Sequence, residues 1–154
     1  MKRLAFIEKY ASSMYSIEIY DGGDGARYYD EKHRNACMIE KELKKTFQVS
    51  VYTDLWAAAR SHIPRDCRSR GNFDYIITHF PFDSVDIVPF TYDQSFSALE
   101  RLRSLFPDTQ VIVYTGASEE KISEDSLKEK GAAQVIRKSD DPKKDLEQML
   151  KLLK

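Results

Sequence analysis

Short apolar runs alternate with segments of helical period along this chain. The runs are rich in β-branched and aromatic residues, and they lie at residues 4–7, 49–51, 75–77, 111–114 and 135–136. Such short, nearly continuous apolar stretches are typical of parallel strands covered on both faces. We therefore expect five strands of one parallel sheet.

Between these runs, apolar residues recur at steps of three and four, which predicts helices. The first predicted helix spans about 31–45, and the second spans 55–60 with Asp54 as its N-cap. A third helix runs through Phe106 with Asp93 near its cap, and a fourth spans 118–130 and is ended by Gly131. The last helix begins at Asp141 and Pro142, and its apolar stripe consists of Leu146, Met149, Leu150 and Leu153. Strands and helices that alternate in this way predict an α/β, flavodoxin-like fold, with a doubly wound sheet and right-handed crossovers. Ligands of such folds bind beyond the carboxyl ends of the strands.

Residues 10–30 are too many for the connection that leaves the first strand, where two to six residues would suffice. Residues 16–20 alternate with strand period, the glycine-rich stretch 21–25 follows, and residues 26–29 include two tyrosines. This pattern predicts a β-hairpin inserted after the first strand. We expect residues 13–30 to cover the adjacent pocket or to form a partner surface, and not to be needed for folding.

Length and charge bound the class of protein. The chain has 154 residues, a hydrophobic fraction of 42%, 24 Lys and Arg, and 25 Asp and Glu. This length predicts a single domain over 1–154, and the net charge of −1 argues against a general nucleic-acid binder. No apolar run is long enough for a membrane span or a signal peptide. Cys37 and Cys67 form no CxxC motif, so we expect a reduced, cytoplasmic protein without membrane contact.

Four stretches of the sequence carry a resemblance in their order and spacing. They are Leu4 to Lys9, Asp74 to His79, Val111 to Ala117, and Lys130 to Lys138. They resemble the receiver domain of bacterial response regulators (CheY-like). In order, the four stretches correspond to its first strand, its third strand, its fourth strand, and its fifth strand together with the end of the helix before it. The resemblance covers about 110 residues and leaves out the predicted hairpin.

The resemblance assigns a place to each residue of the receiver pocket. Glu8 and Lys9 stand where the family has an acidic pair, and His79 stands where it has the phospho-accepting aspartate. Thr115 and Lys138 match the residues that hold the phosphoryl group. Mg²⁺ prefers oxygen ligands in near-octahedral geometry, and an imidazole is a poor substitute for a carboxylate. The resemblance therefore implies a degenerate pseudo-receiver with no metal, no cofactor and no phosphorylation on aspartate.

The sequence contains no GxSxG, HExxH or phosphate-binding glycine motif, so we do not expect an enzyme. We expect a receiver-like signalling domain that acts through a protein partner or a second copy of itself (a homodimer). The contact would use the hairpin, or the face of the last two helices and the fifth strand. One alternative is a small flavodoxin-like anion-binding protein or enzyme with His79, Thr115 and Lys138 around its ligand. Another is a true receiver with a displaced acceptor such as Asp83.

Overall fold

The computed structural model describes residues 1–11, 24–52, 73–82 and 91–153. These residues form five strands, namely β1 (Arg3–Ile7), β2 (Gln48–Tyr52), β3 (Tyr75–Phe80), β4 (Gln110–Thr115) and β5 (Gln134–Arg137). They also form the helices α1 (Asp24–Leu43), α2 (Tyr92–Leu105), α3 (Glu124–Glu129) and α4 (Pro142–Leu152), and a 3-10 turn over Lys9–Ala11.

All strand pairs are parallel, and the strand order is β2-β1-β3-β4-β5. The five predicted strands and the doubly wound fold are thus confirmed. The chain order reverses between β1 and β3, and this switch point places a crevice at the carboxyl ends of the central strands. Ile7 pairs with Thr78 and Phe80 pairs with Thr115, so three strands end close together at that edge.

The two faces of the sheet pack against different helices. Leu4 and Phe6 of β1 belong to one buried cluster, which includes α1 and α4 side chains such as Leu43 and Met149. The alternate residues of β1, Ala5 and Ile7, belong to the buried cluster on the other face, which includes α2 and α3 side chains such as Leu102. Alternate residues of one strand therefore serve opposite layers, as the two-fold repeat of a strand requires.

The predicted hairpin was wrong for residues 24–30, which form the first turns of α1. Helix α1 thus begins seven residues before the predicted start at residue 31. Extending an existing helix adds one hydrogen bond per residue, whereas an isolated two-stranded hairpin is marginal in water. Residues 12–23, which include most of the predicted hairpin, lie outside the described residues.

One further helix prediction needs correction. Helix α3 spans only Glu124–Glu129, because the Ser123 hydroxyl accepts a hydrogen bond from the Ser126 amide and fixes the helix start there. The predicted place of Asp93 near the start of α2 is confirmed, since Asp93 lies in the first turn, and the cap itself is Thr91, which forms a reciprocal capping box with Gln94.

The predicted helix ends are confirmed elsewhere. Gly131 follows α3 with φ of 123°, a backbone conformation that favours glycine, and Asp141 caps α4 with Pro142 in its first turn. Three residues of the predicted apolar stripe of α4 are buried, namely Leu146, Met149 and Leu153, whereas Leu150 is 38% exposed. The predicted helix over 55–60 lies outside the described residues. Among the helices that the structure does describe, none is long and apolar enough to cross a membrane.

Candidate functional site

Four of the predicted pocket residues lie at the carboxyl-terminal edge of the sheet. Glu8 directly follows β1, His79 lies near the end of β3, Thr115 ends β4 and Lys138 directly follows β5. Glu8, His79 and Thr115 are buried, and the Lys138 side chain is 17% exposed. Four separate strands therefore bring polar side chains to one edge, which is where this fold class binds its ligands.

A buried ion pair joins the first and last of these positions. The Lys138 Nζ lies 2.8 Å from Glu8 Oε2, and the Glu8 side chain is only 2% exposed. The amide of Tyr10 donates to Glu8 Oε1 over 3.4 Å. Burial is the largest single effect and opposes ionisation of this carboxyl group, but the charges of Lys138 and His79 and the hydrogen bonds from Lys138 and Tyr10 together outweigh it, so that the pKa of Glu8 lies below its ordinary value.

Two aromatic rings flank the same ammonium group. Lys138 Nζ lies 4.9 Å from the ring centre of Tyr114 and 5.4 Å from that of Tyr10. Both distances are within the range of cation–π attraction. The backbone fixes the base of this side chain, because the Lys138 amide donates to the Thr115 carbonyl over 2.7 Å. The ammonium is thus held by one carboxylate and two ring faces.

The imidazole of His79 is tied to the neighbouring strand. Its Nδ1 lies 3.0 Å from the Ile7 carbonyl oxygen, which can only accept, so Nδ1 carries the proton of that bond. The ring also meets Phe82 edge-on, with centres 5.9 Å apart. The side chain that stands where the resemblance puts an acceptor therefore helps to connect β3 with the end of β1.

The hydroxyl group of Thr115 is engaged within the protein. It donates to the Phe80 carbonyl over 2.6 Å and accepts from the Ala117 amide over 3.0 Å. These bonds tie the end of β4 to the end of β3 and to the loop that follows β4. A ligand anion would have to displace one of them to reach this hydroxyl.

The described residues contain no group of three or more His, Cys, Asp or Glu that could hold a metal ion. Glu8 brings one carboxylate, and Mg²⁺ needs several oxygen ligands. Lys9 follows directly in the 3-10 turn after β1. Asp83, the alternative acceptor, lies outside the described residues.

No family model matches the sequence, and no curated protein matches it. Solved structures do match the fold. A CheY-like receiver domain protein from Methanospirillum hungatei JF-1 has a TM-score of 0.57 and 14% identity, over 99% of this chain and 94% of its own. The orphan response regulator HP1043 of H. pylori has a TM-score of 0.57 and 20% identity, over 99% and 97%. The response regulator TrrA of Thermotoga maritima, solved with Mg²⁺-BeF, has a TM-score of 0.57 and 16% identity, over 99% and 99%.

This chain has the receiver fold. The resemblance seen in the sequence is thereby confirmed at the level of the fold. Identities of 14–20% establish the fold and leave the function to be argued from the residues at the edge of the sheet.

Within this receiver fold, sequence reasoning missed a polar network at the start of α4 that is centred on the buried side chains of Tyr114 and Asp145. The Tyr114 hydroxyl donates to Asp145 Oδ2 over 2.6 Å, and the Ser139 amide and hydroxyl donate to the same carboxylate. Burial and the hydrogen bond to Asp145 raise the pKa of Tyr114, so the phenol stays protonated. A sequence signal did exist, since Asp145 precedes Leu146 on the apolar stripe of α4, where an acid needs partners.

A second missed residue, Arg137, holds the loop between β4 and α3 of the receiver fold. Its guanidinium donates to the carbonyls of Ala117 and Ile122 over 2.9 and 2.7 Å, and to the Glu119 carboxylate over 2.5 Å. Arg137 is the last residue of β5, directly before Lys138. Arg137 therefore fixes this loop, and the next residue, Lys138, neutralises Glu8.

Proposed function

We propose that this protein is a receiver-fold signalling domain that acts by binding another protein and is not phosphorylated on aspartate. The observation that carries the proposal is the buried ion pair between Glu8 and Lys138. A receiver-type phosphoryl transfer needs a carboxylate acceptor and a divalent cation to neutralise the developing charge. Here the position of the acceptor is occupied by His79, and the carboxylate of Glu8 already has a cation.

The same contacts count against a small anion-binding protein or enzyme built on this edge. Such a site would need the Lys138 ammonium and the Thr115 hydroxyl to face the ligand. The ammonium lies 2.8 Å from a carboxylate oxygen, and the hydroxyl donates to a backbone carbonyl. An incoming anion would have to replace both contacts and would meet the negative charge of Glu8.

Exposed side chains of α4 support a partner surface on the face formed by α3, β5 and α4. Leu150 is one of the few large apolar side chains that are exposed among the described residues, and Lys144 and Lys151 of the same helix are also exposed. An apolar centre within a polar rim is a common arrangement in protein interfaces. We propose this face as the contact surface, with another protein or a second copy of the chain as its partner.

The phosphorylation part of the proposal is tested by intact-mass spectrometry after incubation with acetyl phosphate and Mg²⁺. We expect no stable gain of one phosphate. The matched control is the double variant Lys9→Asp, His79→Asp, which introduces acids at the two positions where the resemblance has them and this chain does not, and it should accept more phosphate than the natural sequence. A stoichiometric phosphate on the natural chain, mapped to Asp83 or any other aspartate, would contradict the proposal.

A further inference from the structure

We propose that the outer edge of β2 is a contact surface between two copies of this chain, which pair β2 against β2 in antiparallel orientation. The pairing joins two five-stranded sheets into one continuous sheet, with a two-fold axis at Ser50. Strand β2 lies at the opposite edge of the sheet from β5, so this surface is separate from the partner face proposed above.

Strand β2 is accessible and carries none of the usual protection of a sheet edge. It pairs only with β1 among the described strands, and its residues are exposed or partly exposed, whereas β3 is buried along its whole length. Natural edge strands are commonly protected by charged side chains, proline or bulges. The segment Gln48–Tyr52 has no charged residue and no proline, and its register with β1 has no bulge. This edge can therefore accept a further strand.

The hydrogen bonds to β1 identify the residues of β2 whose backbone faces inward. The Gln48 amide donates to the Lys2 carbonyl over 2.9 Å, and the Tyr52 carbonyl accepts from the Glu8 amide over the same distance. The register is continuous between these two bonds. Because successive residues of a strand direct their backbone groups to opposite sides, Gln48, Ser50 and Tyr52 face β1.

The N–H and C=O groups of Val49 and Val51 consequently point away from β1. The described residues form no backbone hydrogen bond with these groups. In an antiparallel pair, two residues that lie directly opposite can exchange both N–H···O bonds. When Ser50 lies opposite Ser50 of the second copy, each Val49 lies opposite a Val51. This register uses every outward N–H and C=O group of both strands.

The side chains of β2 agree with this register. Val49 packs against the buried cluster that includes side chains of α1 and α4, and Val51 points to the same face because it is two residues further along. Each Val49 thus neighbours a Val51 of the second copy, and β-branched cross-strand pairs of this kind stabilise antiparallel strands. A two-fold contact brings a surface against its own copy, so a charged residue near the axis would meet a like charge. Strand β2 has none, which favours a second copy as the occupant.

The test is disulfide crosslinking of Ser50→Cys in a background that carries Cys37→Ser and Cys67→Ser. Non-hydrogen-bonded antiparallel pairs have Cα atoms about 4.5 Å apart, which is within the range of a disulfide. Gln48→Cys is the matched control, because the same register separates its two copies by more than about 13 Å along the strands. Gln48 is also the more exposed residue, so general thiol reactivity favours the control.

We expect Ser50→Cys to form the disulfide-linked dimer at least about tenfold faster than Gln48→Cys at equal protein concentration. Crosslinking is the appropriate measurement because it traps short-lived pairs, and interfaces smaller than about 1,200 Å² are often transient. Equal rates for the two variants would overturn the pairing of two copies and would favour a strand of another protein as the occupant. A faster reaction of Gln48→Cys would overturn the register.

A proline substitution tests the outward backbone groups. Val51→Pro, made in the Ser50→Cys background, removes an outward N–H and leaves the hydrogen bonds between β2 and β1 in place. Proline is tolerated on an edge strand where the missing N–H faces solvent. We expect a cooperative thermal transition and the loss of most of the rate advantage over Gln48→Cys. A folded Val51→Pro variant that crosslinks as fast as its parent would contradict the proposal.

A charge-pair test covers the case in which the proline variant does not fold. Ser50→Lys and Ser50→Glu each place like charges at the two-fold axis, so each variant alone should sediment as a monomer, whereas their equimolar mixture should form a heterodimer. A mixture that sediments like its separate components would refute the two-fold pairing. Leu150→Glu, on the α4 face, should leave crosslinking through position 50 unchanged, which distinguishes this contact from the partner face.

Discussion

Replacing Glu8 with glutamine removes one charge of the buried pair and keeps its shape. The introduced amide oxygen can still accept the hydrogen bond from the Tyr10 amide, so the change isolates the interaction with Lys138. Breaking a buried ion pair by removing one partner usually costs about 3–5 kcal/mol, because the other charge is left buried. The Lys138 side chain is 17% exposed and keeps part of its hydration, so we expect about 2–4 kcal/mol for Glu8→Gln.

The reverse substitution should cost more. Lys138→Met leaves a carboxylate that is 2% exposed, which places it near the upper end of the range at about 3–5 kcal/mol. The double variant contains neither charge, and apolar replacements of whole buried pairs are often nearly neutral. We therefore expect the double variant to be more stable than the sum of the two single losses predicts, by at least about 2 kcal/mol.

The pH dependence has a definite sign. The native pKa of Glu8 lies below the ordinary value of 4.5, so the unfolded state binds the proton more readily. Stability from Glu8 is complete above that ordinary value and is lost as the pH falls toward the lower native pKa. The loss caused by Glu8→Gln should thus be full at neutral pH and should shrink on acidification. Urea unfolding followed by circular dichroism measures the loss in the free energy of unfolding at neutral pH and its decrease at lower pH.

Glu100→Gln is the matched control for this experiment. Glu100 pairs with Lys130 over the same 2.8 Å, but both side chains are exposed. Exposed pairs contribute little, so this variant should unfold like the natural protein within error. The reasoning is refuted if Glu8→Gln is no more destabilised than Glu100→Gln at neutral pH, or if its deficit grows as the pH falls.

Three other predictions follow from particular contacts. Tyr114→Phe should lower the free energy of unfolding by about 1–3 kcal/mol, because the buried Asp145 carboxylate loses a donor, and no loss in urea unfolding would contradict this. Gly131→Ala should lower the Tm, since φ is 123° and the added Cβ would lie 3.0 Å from Arg103 Cβ; an unchanged Tm would refute the strain argument. Replacing residues 12–23 with a short Gly-Ser link should keep a cooperative thermal transition and reduce partner binding or self-association, and loss of folding would show that this segment belongs to the core.

Strands β1, β3 and β4 were predictable because burial on both faces extends along nearly their whole length. A parallel strand covered on both faces is apolar at nearly every residue, so β1, β3 and β4 are visible without knowledge of their neighbours. Helix starts depend on single contacts instead. Helix α3 begins only after Ser123, and the Glu119 carboxylate before it accepts from the Glu124 amide and from Arg137. Apolar period cannot reveal a boundary that is set by a distant strand.

The hairpin error has the same origin. Alternation over five residues and a run of glycines are real turn and strand signals, but they are local. At Asp24 they competed with a helix that continues for 20 residues and buries Ile39 and Leu43 against the sheet. Packing of a long amphipathic helix outweighs the weak preference of its first turn, and residues 24–30 are helical for that reason.

The candidate site shows which step of the reasoning was missing. The resemblance placed Glu8, His79, Thr115 and Lys138 at one edge, but it assigned Lys138 to a phosphoryl group and left Glu8 as a weakened metal ligand. Charge balance alone argues otherwise, because a buried ammonium needs a counterion and His79 cannot supply one. Glu8 is the buried acid at this edge of the sheet, and its Oε2 lies 2.8 Å from the Lys138 Nζ. It also follows that an aspartate restored at position 79 by itself would compete with Glu8 for the same ammonium, and would not by itself rebuild a site for a divalent cation.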